Sequence, residues 1–206
     1  MITFEGIEGC GKTTQAKLLY EYLKERKLPC LLVYEPGGTR IGEEIRKILL
    51  DERNIKMNPK TEFFLYLAAR TQLLAEVILP SLQEGKIVIS DRFSDSTLAY
   101  QGGGRNLGLE KVSQINKYAT NKLKPDLTIL IDIPISLSQE RIKNEKRDRL
   151  EKEAEEFYER VRNTYLLLAK RAPKRIKIFN GDKSIEDLHL EIRTEVIKFL
   201  TKKGVI

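Results

Sequence analysis

The feature that most constrains this chain is a short apolar run that passes directly into a glycine-rich turn and then into a helical pattern. MITFE is followed at once by GIEGCGKTT, residues 6–14. Glycines in such a turn let backbone N–H groups converge as an anion nest, which side chains would obstruct. The N-terminus of the following helix adds partial positive charge. The stretch satisfies G-x-x-x-x-G-K-[ST], a phosphate cradle that requires a strand before it and a helix after it. The predicted donor-nucleotide site is therefore Gly6, Ile7, Glu8, Gly9, Cys10, Gly11, Lys12, Thr13 and Thr14. Lys12 is expected on the β- and γ-phosphates, and the Thr13 hydroxyl on Mg²⁺. Glu8 puts a carboxylate where negative charge should be unwelcome.

The rest of the chain repeats the strand-then-helix order. Apolar runs at 2–6, 29–34, 86–90, 126–133 and 175–180 alternate with helix-periodic stretches near 12–27, 41–50, 60–84, 109–122, 135–145, 151–171 and 184–202. Pro29, Gly85 and Pro173 punctuate helix ends. Strands that are apolar throughout and separated by helices predict a five-stranded parallel sheet covered on both faces, an α/β fold with right-handed crossovers. With no repeat, low-complexity tract or linker, residues 1–206 read as one domain. The charge run RIKNEKRDRLEKE (141–153) is expected as an exposed, mobile segment between two helices.

Composition narrows the functional classes. Lysine and arginine number 37 against 30 acids, a net charge of +7, which suits a nucleotide, a nucleic acid or an anionic membrane surface. The chain lacks the aromatic–basic interleaving that single-strand binders use, so no nucleic-acid partner is expected. No apolar stretch is expected to reach a membrane span, so no membrane partner is expected either. Cys10 and Cys30 are too few and too poorly spaced for a metal site, and point to a reducing cytoplasm. The single histidine, His189, is assigned to the surface of the last helix, which leaves histidine-based catalysis without a candidate.

Three further clusters carry chemistry. SDRFSDSTLAYQGGGR (90–105) starts where a strand ends, so Asp91 and Arg92 should face the same crevice as Lys12. Asp91 could hold Mg²⁺ directly or through water, and Arg92 offers a planar fork for phosphate oxygens. Tyr66 and Arg70 lie four apart on one helix face, where a ring and a guanidinium could stack on a base and bind its edge. Arg141, Arg147 and Arg149 fall in or beside the charge run, where arginines closing over a nucleotide would neutralise developing charge.

Taken together, FEGIEGCGKTTQ (4–15), EPGGT (35–39), the AAR ending at Arg70, DRFSDSTLAYQGGGR (91–105) and DRLE (148–151) followed by FYERVRNTYLLLA (157–169) resemble the thymidylate kinase family, in its order and across nearly the whole chain. The pattern is similar to the bacterial subtype, which carries its catalytic arginine in the lid. The resemblance implies a three-layer P-loop nucleoside monophosphate kinase fold with a mobile lid near 141–152, and phosphoryl transfer from ATP–Mg²⁺ to dTMP. It implies catalytic roles for Lys12, Arg92, Arg149 and Glu8, and a second lid arginine, Arg141 or Arg147, on ATP. It places dTMP against Glu8, Glu35, Pro36, Tyr66, Arg70, Arg92, Thr97, Tyr100 and Gln101, with Arg70 at the thymine edge and Tyr100 against the sugar 2′ position. It gives Mg²⁺ to Thr13 and Asp91, and it implies a cytoplasmic homodimer. The chain departs from the family pattern at Tyr34, where arginine is common, and at Tyr66, where phenylalanine is usual. At Tyr34 the departure leaves Arg46 or Arg40 as substitutes.

Overall fold

The computed structural model describes residues 1–144 and 148–206; positions 145–147, Arg147 among them, lie outside the described residues. Five strands form one all-parallel sheet in the order β2-β3-β1-β4-β5: β1 (Ile2–Glu5), β2 (Cys30–Tyr34), β3 (Ile87–Asp91), β4 (Leu127–Asp132) and β5 (Ile176–Asn180). Each differs from its expected span by a residue or two at an end. The central strands are buried on both faces, and Ile2, Phe4, Ile89, Leu127, Ile129 and Ile131 form the centre of the core. Register aligns the strand ends that carry polar residues. Phe4 and Tyr34 both pair with Asp91, and Glu5 with Leu130.

Helix α1 (Lys12–Glu25) leaves the cradle and packs with α9 (Ile185–Lys202). Helix α2 (Arg40–Leu50) is capped by Thr39, whose Oγ1 accepts Gly42 N–H at 3.0 Å. Helix α3 (Pro59–Leu73) has Pro59 in its first turn and Asn58 as cap. It runs through a π-helical turn, Leu74–Ile78, into α4 (Leu79–Gln83). This continuous stretch, Pro59–Gln83, is the one described helix long and apolar enough to cross a membrane, contrary to the expectation that no stretch reaches that length. Phe63, Leu67, Ala69, Arg70 and Leu73 are buried within the fold, which accounts for its apolar content.

A helix absent from the periodicity follows β3: α5 (Ser94–Thr97) continues as a π-helical segment, Leu98–Gly104. Its Ser, Thr and triple-Gly composition argues against a helix locally. Packing on α8 (Glu155–Arg171) decides the matter. A Cβ on Gly103 would lie 2.0 Å from Thr164 Oγ1, so only glycine allows the two backbones this close. Helices α6 (Leu109–Ala119) and α7 (Ile135–Ile142) complete the element order, and the last two residues of α7, Arg141 and Ile142, open the charge run.

Candidate active site

The carboxyl ends of β1, β2 and β3 open onto a cleft of about 450 Å³. At one end is the cradle. Gly6 sits at φ +143°, and a Cβ there would meet Ile131 O at 2.4 Å, so no other residue fits. Lys12 is buried, its Nζ 3.4 Å from Ile7 O. Helix α7 buttresses the loop: Ser138 Oγ donates to Glu8 O at 2.7 Å, and Arg141 Nη1 donates to Gly9 O at 3.1 Å. The loop after β5 closes the same side, because a Cβ on Gly181 would fall 3.1 Å from Cys10 O. Burial pushes the Cys10 thiol up, which keeps it protonated and inert.

At the other end Arg92 projects from a left-handed backbone, φ +72°. Its Nη2 donates to Glu8 Oε1 at 2.6 Å and to the Tyr100 hydroxyl at 3.2 Å; its Nη1 donates to Gly6 O and Ser96 Oγ, each at 3.1 Å. Tyr100 OH in turn donates to Glu8 Oε2 at 2.7 Å. Burial alone would raise the Glu8 carboxyl, but Arg92 and Lys12, with the Tyr100 hydroxyl, hold it below the ordinary range. The loop's odd acid therefore faces Arg92 and Tyr100.

Tyr34, Glu35, Pro36, Arg46, Tyr66, Arg70, Thr97 and Gln101 also line the cleft, with Asp148, Leu150 and Glu151 beyond them. Arg46 stacks on the Tyr34 ring, 5.6 Å from its centroid, and donates to Pro36 O at 2.7 Å. Of the two substitutes considered for the missing arginine at position 34, it is Arg46 that lines the cleft.

Two guanidinium groups are held by buried acids. Arg70 donates through Nε to Glu35 Oε2, through Nη1 to Thr97 Oγ1 and Asn116 Oδ1, and through Nη2 to Phe93 O, and its Nη2 forms an ion pair with Glu35 Oε2 at 2.6 Å. Four of its five N–H donors are engaged within the protein, so the guanidinium is held in place beside the cleft. It braces Thr97 and Glu35. Arg149 is only 2% exposed and is turned away from the cradle: Nη2 lies 2.7 Å from Glu62 Oε2, and Nε donates to Leu49 O at 2.8 Å. Buried Glu62 also accepts Gln101 Nε2 at 2.9 Å and Arg105 at 2.9 and 3.1 Å. Of the arginines predicted near the lid, Arg141 is the described one beside the donor loop.

Thr13 Oγ1 meets Asp91 Oδ2 at 2.5 Å, and Asp91 Oδ1 is buried without a partner. Two hard oxygen donors with an orphaned lone pair between cradle and cleft suit Mg²⁺, which takes one or two protein oxygens and fills its shell from phosphates and water.

Sequence reasoning missed Ser96, Tyr165, Asp148 and the turn at Gly181. Tyr165 shares a face with Phe157 and Val161 at i, i+4 spacing, which marks it as core without disclosing what its hydroxyl reaches.

A cleft with a phosphate cradle at one end and a guanidinium pocket at the other brings two phosphate-bearing molecules together, as in P-loop nucleoside monophosphate kinases. Comparison with known proteins narrows that class. Residues 4–192 match the family model for thymidylate kinase. The chain is 50% identical over 199 residues to the thymidylate kinase of Thermosipho africanus, covering 97% of this chain and 98% of that one. It is 48% identical over 191 residues to that of Fervidobacterium nodosum, covering 93% and 95%. Its fold superposes on the crystal structure of thymidylate kinase from Ehrlichia chaffeensis with TM-score 0.77 and 35% identity, covering 95% of this chain and 97% of that one. The chain belongs to the thymidylate kinase family.

Proposed function

We propose that the cleft transfers the γ-phosphoryl group of ATP to dTMP, giving dTDP and ADP for dTTP synthesis. The observation that carries the reading is the shared position of Glu8. It belongs to the cradle by sequence, yet its carboxylate binds Arg92 and Tyr100. Donor and acceptor sites thus meet at one side chain.

The donor phosphates lie in the nest of residues 6–14, with Lys12 on the β- and γ-oxygens. Arg141, beside Gly9, is the cation placed to lie against the donor nucleotide. Thr13 and Asp91 would hold Mg²⁺, which would supply positive charge against the donor phosphates. Arg92 and Arg46 receive the acceptor phosphate. Tyr66 supplies a ring for the base, with Thr97 and Gln101 beside it, Glu35 and Pro36 at the floor, and the Tyr100 ring against the sugar. Glu8 accepts from the sugar 3′-hydroxyl. The acceptor oxygen is already anionic at neutral pH, so attack in line on the γ-phosphorus needs no strong general base; orientation and charge balance are the protein's contribution. The segment near 141–152, through Asp148, Leu150 and Glu151, serves as the lid that excludes water.

The protein works as a homodimer in the cytoplasm. Ile41 and Ile48 on α2 and Phe64 on α3 are large apolar side chains at 43–54% exposure on two packed helices, a surface that suits a second copy. The buried free thiol of Cys10 fits a reducing compartment.

The test is ADP release with ATP and Mg²⁺ across dTMP, dUMP, UMP, dCMP, dGMP and no acceptor. The fastest release is expected with dTMP. Hydrolysis as fast without an acceptor would refute the reading.

A further inference from the structure

Glu5 ends β1 immediately before the cradle and is fully buried beneath the acceptor half of the cleft. No role described above uses it. Its Oε1 accepts Phe93 N–H at 2.9 Å, and its Oε2 accepts Ser96 Oγ–H at 2.5 Å and Tyr165 O–H at 2.9 Å.

The first of these bonds acts on backbone. Arg92, at φ +72°, occupies the left-handed region, which for a residue with a Cβ costs about 1–2 kcal/mol and persists only when its surroundings over-determine it. Arg92 N–H donates to Phe4 O at 2.9 Å, Ser90 Oγ donates to Arg92 O at 2.7 Å, and Glu5 takes the next N–H. The peptides on both sides of the turn are therefore pinned, the second one by Glu5.

The other two bonds act on hydroxyls. Ser96 Oγ and Tyr165 OH lie 3.1 and 3.4 Å from Arg92 Nη1. A hydroxyl has one proton, so a hydroxyl that donates to Glu5 presents its lone pairs to the guanidinium. A neutral group at position 5 would itself donate to one hydroxyl and turn that proton toward Arg92.

We propose that Glu5 is a positioning residue for the acceptor phosphate: it fixes the left-handed turn at Arg92 and orients Ser96 and Tyr165 so that the guanidinium is held aimed into the cleft. The proposal rests on Arg92 being the acceptor-phosphate ligand.

The groups facing Glu5 predict a pH signature. Asp95 and Arg92 approach from the segment after β3 and Tyr165 from α8, while Arg175, ahead of β5, pairs with Asp95 at 2.6 Å. Burial and then the Asp95 charge raise Glu5 to about 7, against the lowering influence of Ser96, Arg92 and Tyr165. The aligned, ionised array is therefore complete above neutrality and is lost as pH falls through about 7.

Steady-state kinetics of Glu5→Gln test this. At about pH 8 the KM for dTMP should rise about tenfold while the KM for ATP stays unchanged, the loss of a charge-assisted bond set on one substrate only. The ratio of variant to wild-type KM for dTMP should fall as pH is lowered to about 6, because wild-type Glu5 becomes neutral as well. Using the ratio cancels titration of the substrate phosphate, whose second pKa is about 6. An unchanged KM for dTMP, equal losses for both substrates, or a ratio indifferent to pH would each overturn the proposal. Arg92→Lys separates it from its premise: if that variant raises the KM for dTMP and Glu5→Gln does not, only the positioning role fails. If Arg92→Lys leaves KM unchanged, the premise fails. Should Glu5→Gln not fold, Tyr165→Phe removes one oriented hydroxyl. A rise of about threefold in the KM for dTMP then supports the proposal, and no rise overturns it.

Discussion

Replacing Arg149 by methionine separates two roles open to that residue. Its guanidinium is buried on Glu62, 2.7 Å away, and Glu62 is completely buried in turn. Deleting one partner of a buried ion pair typically costs about 3–5 kcal/mol, because the other charge is left uncompensated. Here Arg105 and Gln101 remain on the Glu62 carboxylate, and methionine keeps much of the apolar stem. The lower end applies, about 3 kcal/mol. For a chain of this length that is a fall in Tm of roughly 6–12 °C. In the double variant Glu62→Gln/Arg149→Met the orphaned charge is gone, so the combined loss should fall short of the sum of the singles by about 1–3 kcal/mol. Urea unfolding of the four proteins gives this coupling, and turnover at saturating ATP and dTMP is measured alongside. If Arg149 acts by holding Glu62, turnover falls far less than the roughly 10³-fold or more typical of an arginine finger. Stability within about 0.5 kcal/mol of wild type, with turnover down a thousandfold, would refute this. Arg149 would then leave Glu62 in the working enzyme and act on the transferring phosphoryl group.

Four other outcomes are expected. Gly103→Ala forces a Cβ to 2.0 Å from Thr164 Oγ1 and should destabilise by about 1–3 kcal/mol in urea, with partial recovery on adding Thr164→Ala; no recovery would mean the strain lies elsewhere. Tyr100→Ala should raise activity on UMP relative to dTMP, since the ring is assigned to the sugar's 2′ position; an unchanged ratio removes that assignment. Glu8 is held below its unfolded value of about 4.3, so its contribution to stability is present above that pH and is lost as pH falls below it and through the lower folded value. Wild type should therefore lose more stability than Glu8→Gln between about pH 5 and pH 3, and parallel curves would count against the Arg92 pairing. Phe64→Asp should convert a dimer to monomer by light scattering; a mass unchanged from wild type would place the interface elsewhere.

What the sequence disclosed and what it hid divide along the range of the interactions. The cradle, the strand order of polarity and the Asp91–Arg92 turn are contiguous, so residue type and spacing define them. The five strands were legible because each is a short, mainly apolar run set between helical patterns. The helix at 94–104 was hidden because its composition is locally poor for helix and its stability comes from α8, whose contacting residues lie some sixty positions away. The resemblance assigned Arg149 to the transferring phosphoryl group; its resting contact with Glu62, a residue with no local reason to be buried, was not legible. Glu5 looked like the polar end of a strand. Its partners at 93, 96 and 165 meet only once the sheet and α8 are assembled.

The charge inventory of the cleft explains why a site for anions carries so many acids. Lys12, Lys17, Arg46, Arg70 and Arg92 line it, but so do Glu8, Glu35, Asp91, Asp148 and Glu151. Five unpaired cations in a crevice would repel one another and sample many rotamers, and anion binding would have to order them. Pairing removes that problem for two guanidinium groups of the cleft: Glu35 holds Arg70 and Glu8 holds Arg92. Among the described residues Lys12, Lys17 and Arg46 stand in no ion pair, which leaves them for incoming phosphates. With Arg92 as the proposed acceptor-phosphate ligand, sharing it with Glu8 would weaken ground-state binding of that phosphate, yet would fix the geometry in which charge must be met during transfer. Only interactions stronger in the transition state than in the ground state accelerate the step. A carboxylate in a phosphate cradle serves that end by holding the arginine in position.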